Sequence, residues 1–229
     1  MNTTFIQHSS FLVETDRFYF LFDYESGPLP QMDGAKPIFV MVSHGHFDHY
    51  SPEVFPLLAQ SGMQKIRAVL SDDIEAPANV DVLSVSPGRE YQLDHQLTVS
   101  TFQSTDLGVA FLIDDAGTLI YFAGDLNDWV WEEESDGYNQ EMTANYRAQI
   151  HLLEKKLDHR QIDAAFVVLD PRQERFFHRG MCYFLENIPA KAVYPMHTWG
   201  NPGIIDAFLK DYPQYEPQIQ NTALCAEKR

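Results

Sequence analysis

Three histidines and one aspartate stand within six residues, His44-Gly-His46-Phe-Asp48-His49, directly after a run of apolar side chains. No other stretch limits the fold so narrowly. The run Pro37-Ile-Phe-Val-Met-Val42 is apolar throughout, which fits a strand buried on both faces. A helix signal follows at Ser51-Pro-Glu, with a capping hydroxyl, a proline at the first helical position and an acid. The polar segment is thus a loop between a buried strand and a helix. Imidazole nitrogen and carboxylate oxygen are the common donors to first-row metal ions, with zinc bonds of roughly 2.0–2.2 Å. In an extended loop His44 and His46 can turn toward one ion, and Asp48 and His49 can reach a second. Two such ions about 3.5–4 Å apart can share a water and lower its pKa. The plain alternative is a polar loop with chance histidines, and so dense a donor set argues against it.

The surrounding pattern is mixed. Strand signals fall at Thr3–Gln7, Phe11–Thr15 and Phe18–Asp23, then at Ala68–Leu70, Val80–Val85, Gln96–Phe102, Val109–Asp114 and Thr118–Ala123. The helix begun at Ser51 carries Val54, Leu57 and Leu58 on one face and ends near Gly62. The clearest helix covers Gln140 to Asp158, where Met142, Tyr146, Ile150, Leu153 and Leu157 trace one face. A strand at Ile162–Leu169, a helix at Met181–Ile188, a strand at Ala190–Pro195 and a helix from Asn201 to Leu209 complete the chain. Two strand-rich halves, each followed by helices, predict a layered α/β arrangement in a single domain spanning residues 1–229.

Charge narrows the partners. Sixteen Lys and Arg against 33 Asp and Glu give a formal net charge of −17. Such a chain repels phosphate backbones and anionic bilayers, so neither nucleic acid nor a membrane is an expected partner. A small-molecule substrate is expected, and nothing in the sequence specifies an oligomeric state. Two cysteines, Cys182 and Cys225, are too few for a disulfide framework and read as free thiols. With no secretory leader in the first residues, this predicts a cytoplasmic location.

Two isolated signals extend the donor set. Phe122-Ala-Gly-Asp125 ends a strand in a carboxylate, and Val193-Tyr-Pro-Met-His197 ends another in an imidazole. Alone, each reads as a turn aspartate and a structural histidine. Together, the order HxHxDH, then GD, then a late His resembles the metallo-β-lactamase superfamily over nearly the whole chain. Gln7-His-Ser-Ser-Phe-Leu-Val13 with Leu21-Phe-Asp23 resembles more narrowly the branch of ascorbate-phosphate lactonases and related hydrolases.

The resemblance implies a four-layer αββα sandwich with a dinuclear site at one edge. It implies His44 and His46 on a first ion, Asp48, His49 and His197 on a second, and Asp125 bridging. Zinc comes first as the divalent metal, with manganese or iron as alternatives. Most members carry a further His in a stretch like HTxG. Here that stretch reads Ser104-Thr-Asp-Leu-Gly108, with Thr105 at the place of the His and Asp106 beside it. Asp106 can supply an oxygen ligand and make the site harder, the first site can be weak, or the position can stay open to water.

Several residues can shape a pocket. Trp129 and Trp131 follow Asp125 and either wall a substrate or cover the core. Arg172 or Arg175 can hold an anionic group, although pairing with a nearby acid is the commoner use. His178 can donate a proton to a leaving group or simply lie at the surface. His8, matching a histidine near the metals in the lactonase-like branch, can act as an acid or base or orient a ligand. The resulting expectation is a metal-dependent hydrolase. A metal-bound hydroxide, aimed by Asp48, attacks a small ester, lactone or phosphodiester. The alternative is a degenerate, non-catalytic metal-binding scaffold of the same fold.

Overall fold

The apolar run ahead of the histidines is a strand, Ile38–Val42, buried at every residue and placed inside a six-stranded sheet. The structure is a computed structural model describing residues 1–221. It comprises two compact units, the first from Met1 to Ser86 and the second beginning at Pro87.

In the first unit the strands β1 (Asn2–Gln7), β2 (Ser10–Glu14), β3 (Tyr19–Phe22), β4 (Ile38–Val42), β5 (Ile66–Ser71) and β6 (Asp81–Val85) lie in sequence order. The first three are antiparallel, and β3 through β6 run parallel. Parallel pairing of Phe22 with Met41 puts the C-terminal ends of β3 and β4 side by side. Ligands in α/β sheets gather at such carboxyl ends. Between β4 and β5 lies α1 (Val54–Gln60). It starts later than Ser51 predicts. Glu53 precedes it without a side-chain cap bond, while the carbonyls of Ser51 and Pro52 accept from Val54 and Phe55 in a tight lead-in turn. Its buried face is Val54, Phe55 and Leu58, and the expected Leu57 is 38% exposed.

The second unit holds β7 (Glu90–Asp94), β8 (Leu97–Gln103), β9 (Val109–Asp115), β10 (Thr118–Phe122), β11 (Ala164–Val168) and β12 (Val193–Met196). Its sheet runs β12-β11-β10-β9-β8-β7, antiparallel from β7 to β10 and parallel from β10 to β12. The parallel trio again aligns three carboxyl ends. The helices are α2 (Asp136–Leu157), α3 (Arg179–Asn187) and α4 (Gly203–Asp211). Helix α2 begins four residues before the expected Gln140, because Ser135 caps it by accepting from the Tyr138 amide at 3.2 Å. Tyr146, Ile150, Leu153 and Leu157 are its buried face, as the spacing predicts, whereas Met142, expected on the same face, is only partly buried and lines a cavity. The core is aromatic: Tyr121 stacks on Phe184 with centroids 5.4 Å apart, and Phe166 on Tyr194 at 5.0 Å.

The fold class is mixed α/β, as expected. No helix among the described residues is long and apolar enough to cross a membrane. Cys182 is a free, half-buried thiol on α3, and Cys225 lies outside the described residues.

Candidate metal centre

In the first unit the adjacent ends of β3 and β4 deliver Asp23 and Ser43. The Asp23 carboxylate is fully buried. It accepts from the Ser43 amide at 2.7 Å, the Ser43 hydroxyl at 2.5 Å and His49 Nδ1 at 2.7 Å. A carboxylate only accepts, so His49 carries its proton on Nδ1 and presents a lone pair at Nε2. The Ser43 hydroxyl spends its proton on Asp23, so its contact with His44 Nδ1 at 2.9 Å requires His44 to donate. One buried carboxylate therefore fixes two imidazole tautomers. His44 Nε2 then lies 3.0 Å from His46 Nδ1, two ring nitrogens converging on one place. The loop is bent to allow this, since the amides of His49 and Tyr50 both donate to the His46 carbonyl at 3.0 Å.

Asp48 comes next. Its Oδ2 is 3.5 Å from His8 Nε2 and 4.0 Å from His49 Nε2. Potential donor atoms of His8, Asp48 and His49 lie within 4.8 Å of one another. His8 follows β1 with φ of 47°, and Asp23 follows β3 with φ of 39°. Side chains seldom adopt this left-handed backbone, which costs on the order of 1–3 kcal/mol and is concentrated at functional sites.

The second unit repeats the construction. Ends of β10, β11 and β12 lead to Asp125, Asp170 and His197. His197, at φ 65°, donates from Nδ1 to Asp170 at 2.8 Å and turns Nε2 toward Asp125 Oδ1 at 3.5 Å. Asp170 is fully buried. Burial pushes its carboxyl up, but hydrogen bonds from His197 and Arg172 outweigh this and hold it below the usual carboxylate range. The Arg172 guanidinium closes on Asp170 through Nε at 2.9 Å and Nη2 at 2.5 Å, and the Trp199 indole donates to it at 3.2 Å.

Asp106 and Asp125 come together, with carboxylate oxygens within 4.8 Å. Both line one cavity of about 230 Å³ with Trp129, Trp131 and Arg172. Thr105, expected at the place of a histidine, has another task. Its hydroxyl donates to the Asn127 carbonyl at 2.6 Å and accepts from the Asn127 amide at 3.0 Å, fastening the loop that follows Asp125. Trp129 adds a second fastening, donating from Nε1 to the Asp125 carbonyl at 2.8 Å. The two tryptophans stack with centroids 5.8 Å apart and planes 4° from parallel. They are both wall and cover.

Other candidates fall elsewhere. Arg175 pairs with Glu132 at 3.0 Å. His178 sits between Phe177 and Tyr212, stacked on the latter at 5.5 Å, where burial and the adjacent Arg179 hold its pKa below the usual imidazole range. Sequence reasoning missed Asp23 and Asp170 as orienting groups, along with Ser43 and Trp199. The available signal was an acid at the end of a wholly apolar strand.

A family model described as Beta-lactamase superfamily domain matches residues 2–137. No curated protein matches the chain. Among solved structures, a candidate metal-dependent hydrolase from Parabacteroides distasonis is 16% identical, with a TM-score of 0.59 over 95% of this chain and 90% of that one. The metallo-beta-lactamase fold protein YhfI from Bacillus subtilis is 11% identical, with a TM-score of 0.54 over 93% and 87%. CmlA, a diiron beta-hydroxylase from Streptomyces venezuelae, is 12% identical with a TM-score of 0.56, and the chain spans 51% of its length. At these identities the likeness is one of fold.

Proposed function

The chain belongs to the beta-lactamase superfamily, and from that premise we propose that it is a metal-dependent hydrolase of small esters, lactones or phosphodiesters. The observation that carries this reading is the repeated carboxylate–histidine pair. Asp23 holds His49 in the first unit and Asp170 holds His197 in the second, each through Nδ1. That is how a protein presents a neutral imidazole to a metal ion. The donor set fits a divalent ion: imidazoles with oriented ring nitrogens beside carboxylates.

The proposed ligands are His44, His46, Asp48 and His49 from the first unit and Asp106, Asp125 and His197 from the second. The order of the motifs carries this assignment. Two ions are proposed, with zinc first; the oxygen of Asp106 in place of an imidazole makes manganese or iron the alternatives. A bound divalent ion supplies Lewis acidity, activating water and neutralising charge that develops on the substrate.

The protein's own groups do the rest. Asp48 accepts a hydrogen bond from the attacking water and aims it. His8, 3.5 Å from Asp48, takes up or returns a proton at Nε2. Trp129 and Trp131 keep bulk water off one side of the cavity, which strengthens the electrostatics within. A substrate small enough for about 230 Å³ is favoured.

The test combines elemental analysis with turnover. Two equivalents of metal, and chelator-sensitive hydrolysis of p-nitrophenyl acetate or bis(p-nitrophenyl) phosphate, are expected. Bound metal without turnover of any ester, lactone or phosphodiester would instead identify a degenerate binding scaffold. No bound metal after incubation with zinc, manganese or iron would end both readings.

A further inference from the structure

We infer that Arg172 selects the substrate of this site, and that the cavity of the second unit takes a small molecule joining an anionic group to a planar apolar body. The inference rests on the hydrolase reading for the identity of the site and deepens it.

The cavity has three kinds of wall. Asp106 and Asp125 are its acids, Trp129, Trp131 and Met142 its apolar side, and Arg172 the one basic residue among those lining it. With metal on the two acids, the guanidinium is the cation that the protein itself adds to this lining. Its position is fixed before any ligand arrives. Nε and Nη2 are both spent on Asp170. The guanidinium carbon lies 4.3 Å from the Trp199 ring centroid, so one face is covered as well. The backbone amide of Arg172 also donates to Asp170, at 2.8 Å. Nη1 has no hydrogen bond among the described residues, and the side chain is 47% exposed.

A two-point grip on the ligand through this fork is therefore not available. The fork is occupied, so Arg172 offers the substrate one remaining edge. An ammonium could not do both jobs, because a lysine has no second edge to keep in the cavity. The two indoles line the same cavity as Arg172, and an aromatic lining suits an aromatic or conjugated ring. A volume of about 230 Å³ is below the range of drug-sized pockets, so the ligand is small.

All three tryptophans of the chain, Trp129, Trp131 and Trp199, line this cavity or touch Arg172. Intrinsic fluorescence therefore reports on it directly, without need of turnover. Metal-loaded protein is titrated with benzoate and with benzamide, its neutral analogue of the same shape. Saturable quenching by benzoate, at least about tenfold tighter than by benzamide, is expected. Arg172→Gln, loaded to the same metal content as checked by elemental analysis, is expected to erase that preference. Arg172→Lys is expected to recover only part of it. If benzoate and benzamide bind alike, or neither binds to fully loaded protein, the inference is overturned. It is also overturned if the preference survives in Arg172→Gln, since the carboxylate would then be held by the ions. Failure of the hydrolase reading looks different: the fluorescence preference persists and no ester, lactone or phosphodiester is turned over.

Discussion

His49 Nδ1 lies 2.7 Å from Asp23 Oδ2, and neither side chain has any exposed surface. The same carboxylate binds Ser43 twice and, through the Ser43 hydroxyl, sets His44. One aspartate behind the HxHxDH loop thus decides which nitrogen of two histidines faces forward.

Asp23→Asn should therefore weaken metal binding. An asparagine that keeps its oxygen toward the Ser43 amide turns its own NH₂ toward His49. The imidazole must then accept at Nδ1 and move its proton to Nε2, where the lone pair was. Loss of such an orienting partner typically costs 10- to 100-fold in metal affinity. Competition against a chromophoric chelator measures it, and an unchanged zinc affinity would remove His49 from the ligand set.

Asp106→Ala should lower metal content from two equivalents to about one. Thr105 cannot compensate, because its hydroxyl is committed to the Asn127 backbone in both directions. Asp125 would remain within the cavity with its neighbouring carboxylate gone. Elemental analysis of the purified variant decides the matter. If metal content and activity are both unchanged, the Asp106 assignment fails.

Much of this site is legible in the sequence, and the reason is local. HGHFDH places its donors within six residues, and the strand before it is apolar at every position. Asp125 and His197 are legible only in company, since each is one polar residue after one strand. Asp23 and Asp170 are harder still. Each follows an apolar strand, as turn aspartates do, and only the parallel pairing of β3 with β4 and of β11 with β12 reveals their partners. The edge strand β7 escapes notice for a different reason. Glu90-Tyr-Gln-Leu-Asp94 has no fully buried residue, so no hydrophobic pattern marks it. Its hydrogen bonds to β8 make it a strand.

Cys182 should resist alkylation. Burial pushes its thiol up from 9.0 to about 11, against a smaller opposing hydrogen bond to Tyr212. At pH 8 the thiolate population is then about 100-fold below that of an unshifted thiol, and the reaction rate with it. Because the native state holds this proton more tightly, the associated stability is present below the unfolded pKa near 9. It is lost as pH rises through the native value near 11. Iodoacetamide labelling with mapping of the Cys182 peptide, native against denatured, provides the check. Equal rates at pH 8 would mean the thiol is not held as described.

Gly180→Ala should disturb the Asp125 loop from a distance. Gly180 is the second residue of α3, and a Cβ there would sit 1.9 Å from Asn127 Oδ1 and 3.2 Å from the Asp128 amide nitrogen. Asn127 cannot swing aside, since it is 1% exposed and its amide donates to Gln173 at 2.7 Å. Helix α3 is held from behind, where the Tyr146 hydroxyl donates to the Gly180 carbonyl at 2.8 Å. The added methyl therefore pushes on the loop that begins at Asp125, and overpacking of this kind costs about 1–3 kcal/mol. For a chain of this size that lowers Tm by roughly 2–4 °C per kcal/mol. A general loss of packing would leave the cost independent of Asn127. Steric transmission predicts instead that Asn127→Ala, harmful alone, partly rescues Gly180→Ala. A double-mutant cycle on Tm and metal affinity separates the two, and additivity of the two substitutions would refute transmission through Asn127.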